Sequence, residues 1–374
     1  MVLNVGGTAG VLFDDNIFHD PHNGESDVTA VLAPNFRIKS DHETYKYTLT
    51  GEVEDGSYAD HNEDNYTDGG VGGKVDVILD PTTTLSLDGH FRLEHIPIGA
   101  FVDVPGRQSD SPTNYRNGGL EASLKKNWNR IESSIFASDT LLNYDNTTSL
   151  TNIRIIQDDR DRNEMQFGGQ ACYRASANFC PYIAASFNTR NYDEQVDGTL
   201  LIPRDSDGFS VMGGVQAAFP AQSVTADVAL GYLAQNYDAA SFEDVSTLGF
   251  KAKVEWQATP AFRVNWNLNR SVEETTLLDT SSYIQTETVL GGEYQWNESL
   301  VADASLGYTL NDFQNGSLVP DRADGIVKGI AQLQYNFPEG FGVGTRYTYA
   351  NRRSDDATVE YNSNAVMLYV SARY

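Results

Sequence analysis

No stretch of this 374-residue chain is long and apolar enough to cross a membrane as a helix, which takes about 20 consecutive apolar residues. Basic residues are also scarce, with 26 Lys and Arg against 52 Asp and Glu and a net charge of −26. That imbalance argues against nucleic acid as a partner, which requires a basic face. It leaves room for carboxylate-rich loops that take divalent cations. Two cysteines, with neither a histidine nor further cysteines near them in sequence, do not make a metal site or a redox motif. There is no Pro/Gly/Ser linker, composition shift or low-complexity tract, which favours a single domain over residues 1–374. The opening MVLNVGGTAG has neither the basic nor the apolar region of a leader, so for an exported protein the expectation is that a leader has been removed from this numbering.

What the chain does have is glycine (32), tyrosine (20) and an apolar–polar alternation that recurs from end to end. Leu85, Leu87, Gly89, Phe91 and Leu93 alternate with Ser86, Asp88, His90, Arg92 and Glu94. Tyr45, Tyr47, Leu49 and Val53 alternate with Lys46, Thr48, Thr50 and Glu52, and Phe262, Val264, Trp266 and Leu268 with Arg263, Asn265, Asn267 and Asn269. Period two is the signature of strands with one greasy and one wet face, and helical spacing fits none of these runs. A mean hydropathy of −0.42 would suit a soluble protein, yet it also suits a barrel that turns its apolar face to lipid and its polar face to a lumen.

The runs span roughly ten to fourteen residues, more than the five or six of an average soluble strand and enough to cross a tilted bilayer path. Short connections fall at residues 39–42, 80–83, 127–129, 175–178, 220–223, 258–261, 297–299 and 338–340. Longer acidic ones fall near 14–25, 56–65, 97–113, 144–162, 193–207, 238–244, 276–282, 314–323 and 354–358. Eight turns and nine loops predict an all-β fold: a transmembrane antiparallel up-and-down barrel of about eighteen strands, or sixteen if one weak hairpin is lost. Turns would face the periplasm and loops the exterior of a bacterial outer membrane.

The final run places Val366, Leu368, Val370, Ala372 and Tyr374 on one face, and its terminal aromatic resembles the signal read by the outer-membrane assembly machinery. Further stretches carry a family resemblance: Phe13-Asp-Asp-Asn-Ile-Phe18 with Ser26-Asp27, Tyr58 to Tyr66, Asp158-Asp-Arg-Asp-Arg-Asn-Glu164, Arg204-Asp-Ser-Asp-Gly208, Gly231 to Tyr237, and Arg270-Ser-Val-Glu-Glu-Thr-Thr276. In order and spacing, over nearly the whole chain, these resemble the Putative beta-barrel porin 2 family, outer-membrane barrels often found beside exopolysaccharide and capsule genes. The resemblance implies a barrel with a part in polysaccharide secretion, and periplasmic polysaccharide-export proteins as partners. It carries no catalytic residues to transfer.

Alternation places Lys46, Arg92, Arg190, Lys251, Lys253, Arg263, Arg346 and Arg352 on the lumen side with Glu52, Asp88, Glu94, Glu255, Glu287, Glu293 and Asp303. Such charges either guide a polysaccharide or small hydrophilic solute, or pair with one another and stiffen the wall. Arg270, Glu273 and Glu274 sit at the outer strand end, where they would hold an inward loop or cap the rim. Cys172 and Cys180 flank a turn and are candidates for a disulfide in an oxidising periplasm. Asp158, Asp159 and Asp161 are Ca²⁺ candidates, though without EF-hand spacing, and solvated loop charge is the plainer reading. No other cofactor is indicated. Ser86 and His90 share the inner face in mid-strand, where a lipase-type site would not lie, so the chain does not read as an enzyme. The leading expectation is a channel that assists polysaccharide export. A general or sugar-selective diffusion porin, and an adhesive surface protein with Ca²⁺-binding loops, are the alternatives.

Overall fold

The computed structural model describes residues 1–100, 109–193, 202–275, 277, 279–315 and 321–374. The predicted loops at 97–113, 193–207, 276–282 and 314–323 lie partly outside those residues, as does Thr276 of the rim motif. Strands run in chain order as β1 (Val2–Asp14), β2 (Asp27–Asp41), β3 (Tyr45–Tyr58), β4 (Tyr66–Asp80), β5 (Thr83–Ile96), β6 (Thr113–Trp128) and β7 (Ile131–Tyr144). A two-rung ladder in the next loop, β8 (Thr147–Thr148) with β9 (Arg154–Ile155), is followed by β10 (Arg162–Tyr173), β11 (Phe179–Tyr192), β12 (Ser206–Phe219), β13 (Val224–Tyr237) and β14 (Val245–Thr259). The chain ends with β15 (Phe262–Glu274), β16 (Thr280–Gln295), β17 (Leu300–Asn315), β18 (Ala323–Asn336), β19 (Phe341–Ser354) and β20 (Tyr361–Arg373).

Apart from β8 and β9, all of these join one 18-stranded antiparallel sheet in which chain neighbours are ladder neighbours. β1 also pairs with β20, from Gly6↔Arg373 to Asp14↔Ala365, so the sheet closes. The Tyr374 N–H donates to the Val5 carbonyl at 2.8 Å, and Val5 returns the bond at 2.9 Å. Closure matters because hydrocarbon offers no partner to a bare strand edge. The turns between β2 and β3, β4 and β5, and the other short connections coincide with those predicted, and the strand ends joined by the nine longer connections lie at the opposite end. Barrel strands run from 12 to 16 residues, longer than the sequence runs indicate. The pairing continues past the apolar belt into the polar strand ends.

Side-chain burial is inverted relative to a soluble protein. Ile183 is 69% exposed, Leu248 64% and Leu306 59%, while their neighbours in sequence face inward. Trp128, Phe179, Trp256, Trp296 and Phe341 stand exposed at the short-turn end, where interfacial aromatics anchor a barrel. Tyr374, 73% exposed, joins this girdle.

Candidate functional site

The predicted lumen charges do not converge on one site. They fall into two arcs of the inner wall that differ in what their charges do. Around β10–β19 most are spent on protein partners. Arg190 on β11 bonds the Glu274 carboxylate on β15 and donates to the Val272 carbonyl at 2.8 Å. Tyr192 donates to the other Glu274 oxygen at 2.6 Å. Arg263 pairs with Glu293 at 2.6 Å, and Lys253 with Glu255 at 3.1 Å. Arg346 donates to Gln332 at 2.9 Å, while Lys251 stands over the Tyr182 ring. Arg352 and Arg322 both hold Asp324, itself fully buried, at 2.5 and 2.9 Å.

The contact between Arg190 and Glu274 needs explanation, because three strands lie between them. Laid flat, four strand spacings amount to about 19 Å, beyond the combined reach of the two side chains. The cause is a split seam. The β14–β15 ladder ends at Lys251↔Asn269, although β14 begins at Val245 and β15 continues to Glu274 paired only with β16. Freed from β14, the tip of the β15–β16 hairpin bends across the lumen. By alternation Val272 and Ile284 belong with lipid-facing Trp266 and Leu290, yet both are buried against Tyr237, Phe242 and Val245 inside the barrel. On its other side the tip meets β17, where the Tyr283 ring lies 5.2 Å from that of Phe313.

Arg204 clamps this tip. It is 1% exposed and donates to the carbonyls of Thr275 at 2.6 Å, Leu277 at 2.9 Å and Thr280 at 3.1 Å. Arg270 straps the split itself, donating to Thr247 on β14 at 3.2 Å and Thr286 on β16 at 2.9 Å, with its guanidinium over Phe250. The rim motif therefore holds an inward segment: Glu274 as an anchor, Arg270 as a strap. Glu273 accepts only from Ser271 among the described residues, at 2.7 Å. Arg204 carries the greatest share of the clamp, and the sequence signalled it only as the first residue of an acidic loop motif.

A second inward segment follows β1. Ile17 and Phe18 pack with Ile98 beside Tyr58, and His19 stacks on Tyr361 at 4.1 Å. Burial pushes the His19 pKa down, partly opposed by Asp14. His61 pins the adjoining loop, with Nδ1 2.9 Å from Asp27 and Nε2 3.0 Å from Glu25. The hydrogen bond to Asp27 raises the His61 pKa above its usual 6.5, with Glu25 adding to it.

The arc from β3 to β7 is different. Among the described residues Glu52, Lys74 and Asp88 make no ion pair or side-chain hydrogen bond, and Arg92 reaches Glu94 only at 3.4 Å. Lys46 pairs at the periplasmic end with Asp41, at 3.1 Å. A hollow of about 420 Å³ opens here on Lys74, Asp88, His90, Arg92, Glu94 and Asn117. Inward glycines make it: a Cβ on Gly119 would lie 2.3 Å from the His90 ring, and one on Gly70 3.1 Å from the Arg92 side chain. Lys74 and Asn117 were not singled out from sequence, although Gly70-Val-Gly-Gly-Lys74 carries the same period-two signal.

The Ca²⁺ reading of the 158–161 loop needs correction. Asp161 accepts from the Tyr144 N–H and the Asn143 amide, both at 2.6 Å, and Asp158 takes the Asn146 amide at 2.9 Å. Asp158 and Asp159 lie in a 3₁₀ turn, and no group of three or more His, Cys, Asp or Glu among the described residues is gathered to hold a metal. Burial pushes the Asp161 pKa up to about 6, with Asp158, Asp193 and Asp159 adding to it. Ser86 donates to Asp76 at 2.6 Å and His90 contacts Asn117 at 3.2 Å, so the two are not a pair. Cys172 lies directly opposite Tyr182; Cys180 is the diagonal neighbour, and the two cysteines are joined with Cα atoms 5.7 Å apart.

A closed barrel with a lipid-facing belt and a charged, partly filled lumen defines a porin-like channel of the bacterial outer membrane. The sequence matches the family model Putative beta-barrel porin 2 over residues 3–374, and the chain belongs to that family. Nothing matches among curated proteins. Of solved structures, the siderophore receptor PirA from Acinetobacter baumannii is 8% identical with a TM-score of 0.51, over 99% of this chain and 80% of that one. OpdL of Pseudomonas aeruginosa is 10% identical with a TM-score of 0.49, over 100% and 98%. The first likeness supports the barrel fold alone.

Proposed function

We propose that the protein passes a hydrophilic polymer, an extracellular polysaccharide, along the β3–β7 arc of its lumen. The observation that carries this reading is the contrast between the arcs. Arg190, Arg322 and Arg352 on the filled side are held in buried internal pairs, whereas Glu52, Lys74 and Asp88 on the open side have no ion pair or side-chain hydrogen bond among the described residues. A wall carrying both signs hydrates a polar chain without trapping it. The hairpin turned inward at Val272 and Ile284 takes up part of the lumen, which suits a thread more than a bulky solute. The family's resemblance to barrels found beside polysaccharide genes supplies the cargo.

The partners in this reading are the outer-membrane assembly machinery, at the strand β20 that ends in Tyr374, and periplasmic export proteins, at the short-turn end. Deleting the gene and measuring secreted polysaccharide tests the reading, and unchanged secretion refutes it. A sugar-selective diffusion porin is favoured instead if purified protein in planar bilayers conducts steadily, since a narrowed export channel should be mostly closed.

A further inference from the structure

We infer that the hollow at Lys74, Asp88, His90, Arg92, Glu94 and Asn117 is a binding station for an uncharged saccharide. This rests on the channel reading above and names what the open arc holds. At about 420 Å³ the hollow falls within the usual range for small-ligand sites, about 300–1,000 Å³.

Its chemistry selects the ligand. Lys74 and Arg92 against Asp88 and Glu94 leave no net local charge, so neither an anion nor a cation is favoured as such. A divalent cation would find each carboxylate next to a base: Lys74 and Asp88 are direct cross-strand partners, and Glu94 lies 3.4 Å from Arg92. Anionic sugars would meet Glu52, Glu54 and Asp68 on the adjoining wall and a chain of net charge −26. Sugar hydroxyls, which both donate and accept, match this mixed set. The carboxylates of Asp88 and Glu94 accept, Lys74 and Arg92 donate, and the Asn117 amide does either. One wall is flat: the His90 ring lies over Gly119, where any Cβ would displace it, and Gly72 opposite His90 exposes backbone to close approach.

Calorimetric titration of the full chain in detergent micelles with maltotetraose tests the station, alongside trigalacturonate. The double variant Lys74→Met, Asp88→Asn removes two groups without ion-pair partners among the described residues, and retained heat-modifiable gel mobility establishes that the barrel is folded. Maltotetraose should bind the native protein and lose about tenfold or more in affinity in the variant, while trigalacturonate binds neither. Absence of binding to the native protein, equal binding by the folded variant, or tighter binding of trigalacturonate overturns the inference. Gene deletion reads separately: a barrel that binds maltotetraose but leaves secretion unchanged loses the export reading and keeps the station.

Discussion

Arg204 does at the level of one residue what a loop of ordinary length does elsewhere: it satisfies carbonyls that a bent hairpin would leave bare. Each hydrogen bond from a charged donor contributes about 1.5–3 kcal/mol, so Arg204→Met should release the tip while the wall stays closed. Single-channel recording should then show larger or more frequent openings, with unchanged gel mobility; unaltered conductance would mean the tip is held by its apolar contacts alone. His61 makes a second prediction. Its pKa is raised by carboxylate partners, so the pinning of residues 59–65 is complete below the ordinary value of 6.5, as long as those partners are ionised, and is lost as pH rises through the raised value. Hydrogen exchange in this loop, corrected for intrinsic rate, should accelerate with alkalinity, and His61→Gln should remove the dependence.

Among the elements, the strands were legible because lipid outside and water inside impose a period that no other architecture of this length keeps so uniformly. The turns were legible for a related reason, since each interrupts that period with Pro, Asn, Asp or Gly. The filled half of the lumen was not. Val272 and Ile284 continue the alternation of β15 and β16, and nothing local marks that their outer face has turned inward; the cause is a missing ladder with β14, a non-local fact. The hollow was not legible either: only the register sets Gly70 beside Arg92 and Gly119 beside His90. The disulfide tests element stability: Cys172→Ser with Cys180→Ser removes a cross-link over eight residues, worth about 2–3 kcal/mol in chain-entropy terms. The barrel should still fold, with a lower denaturant midpoint.

For the molecule as a whole, net charge sets behaviour that no single residue does. With −26 overall and the long loops acidic, the mouth should concentrate cations. In a salt gradient the reversal potential should favour the cation, and the preference should fade toward 1 M, where the Debye length is about 3 Å. Anion preference would contradict the acidic loops as the source of the selectivity.

The split between β14 and β15 has a mechanical consequence. A closed sheet is a hoop, and a hoop yields first at its notch. Six residues of β14, from Val245 to Phe250, lack the ladder to β15, and the gap is spanned by the hydrogen bonds of Arg270 and the apolar contact of Val245 with Val272. Breathing of the wall should therefore begin there, and any widening of the lumen to admit a thicker chain would start by unfastening the Arg270 guanidinium and parting Val245 from Val272.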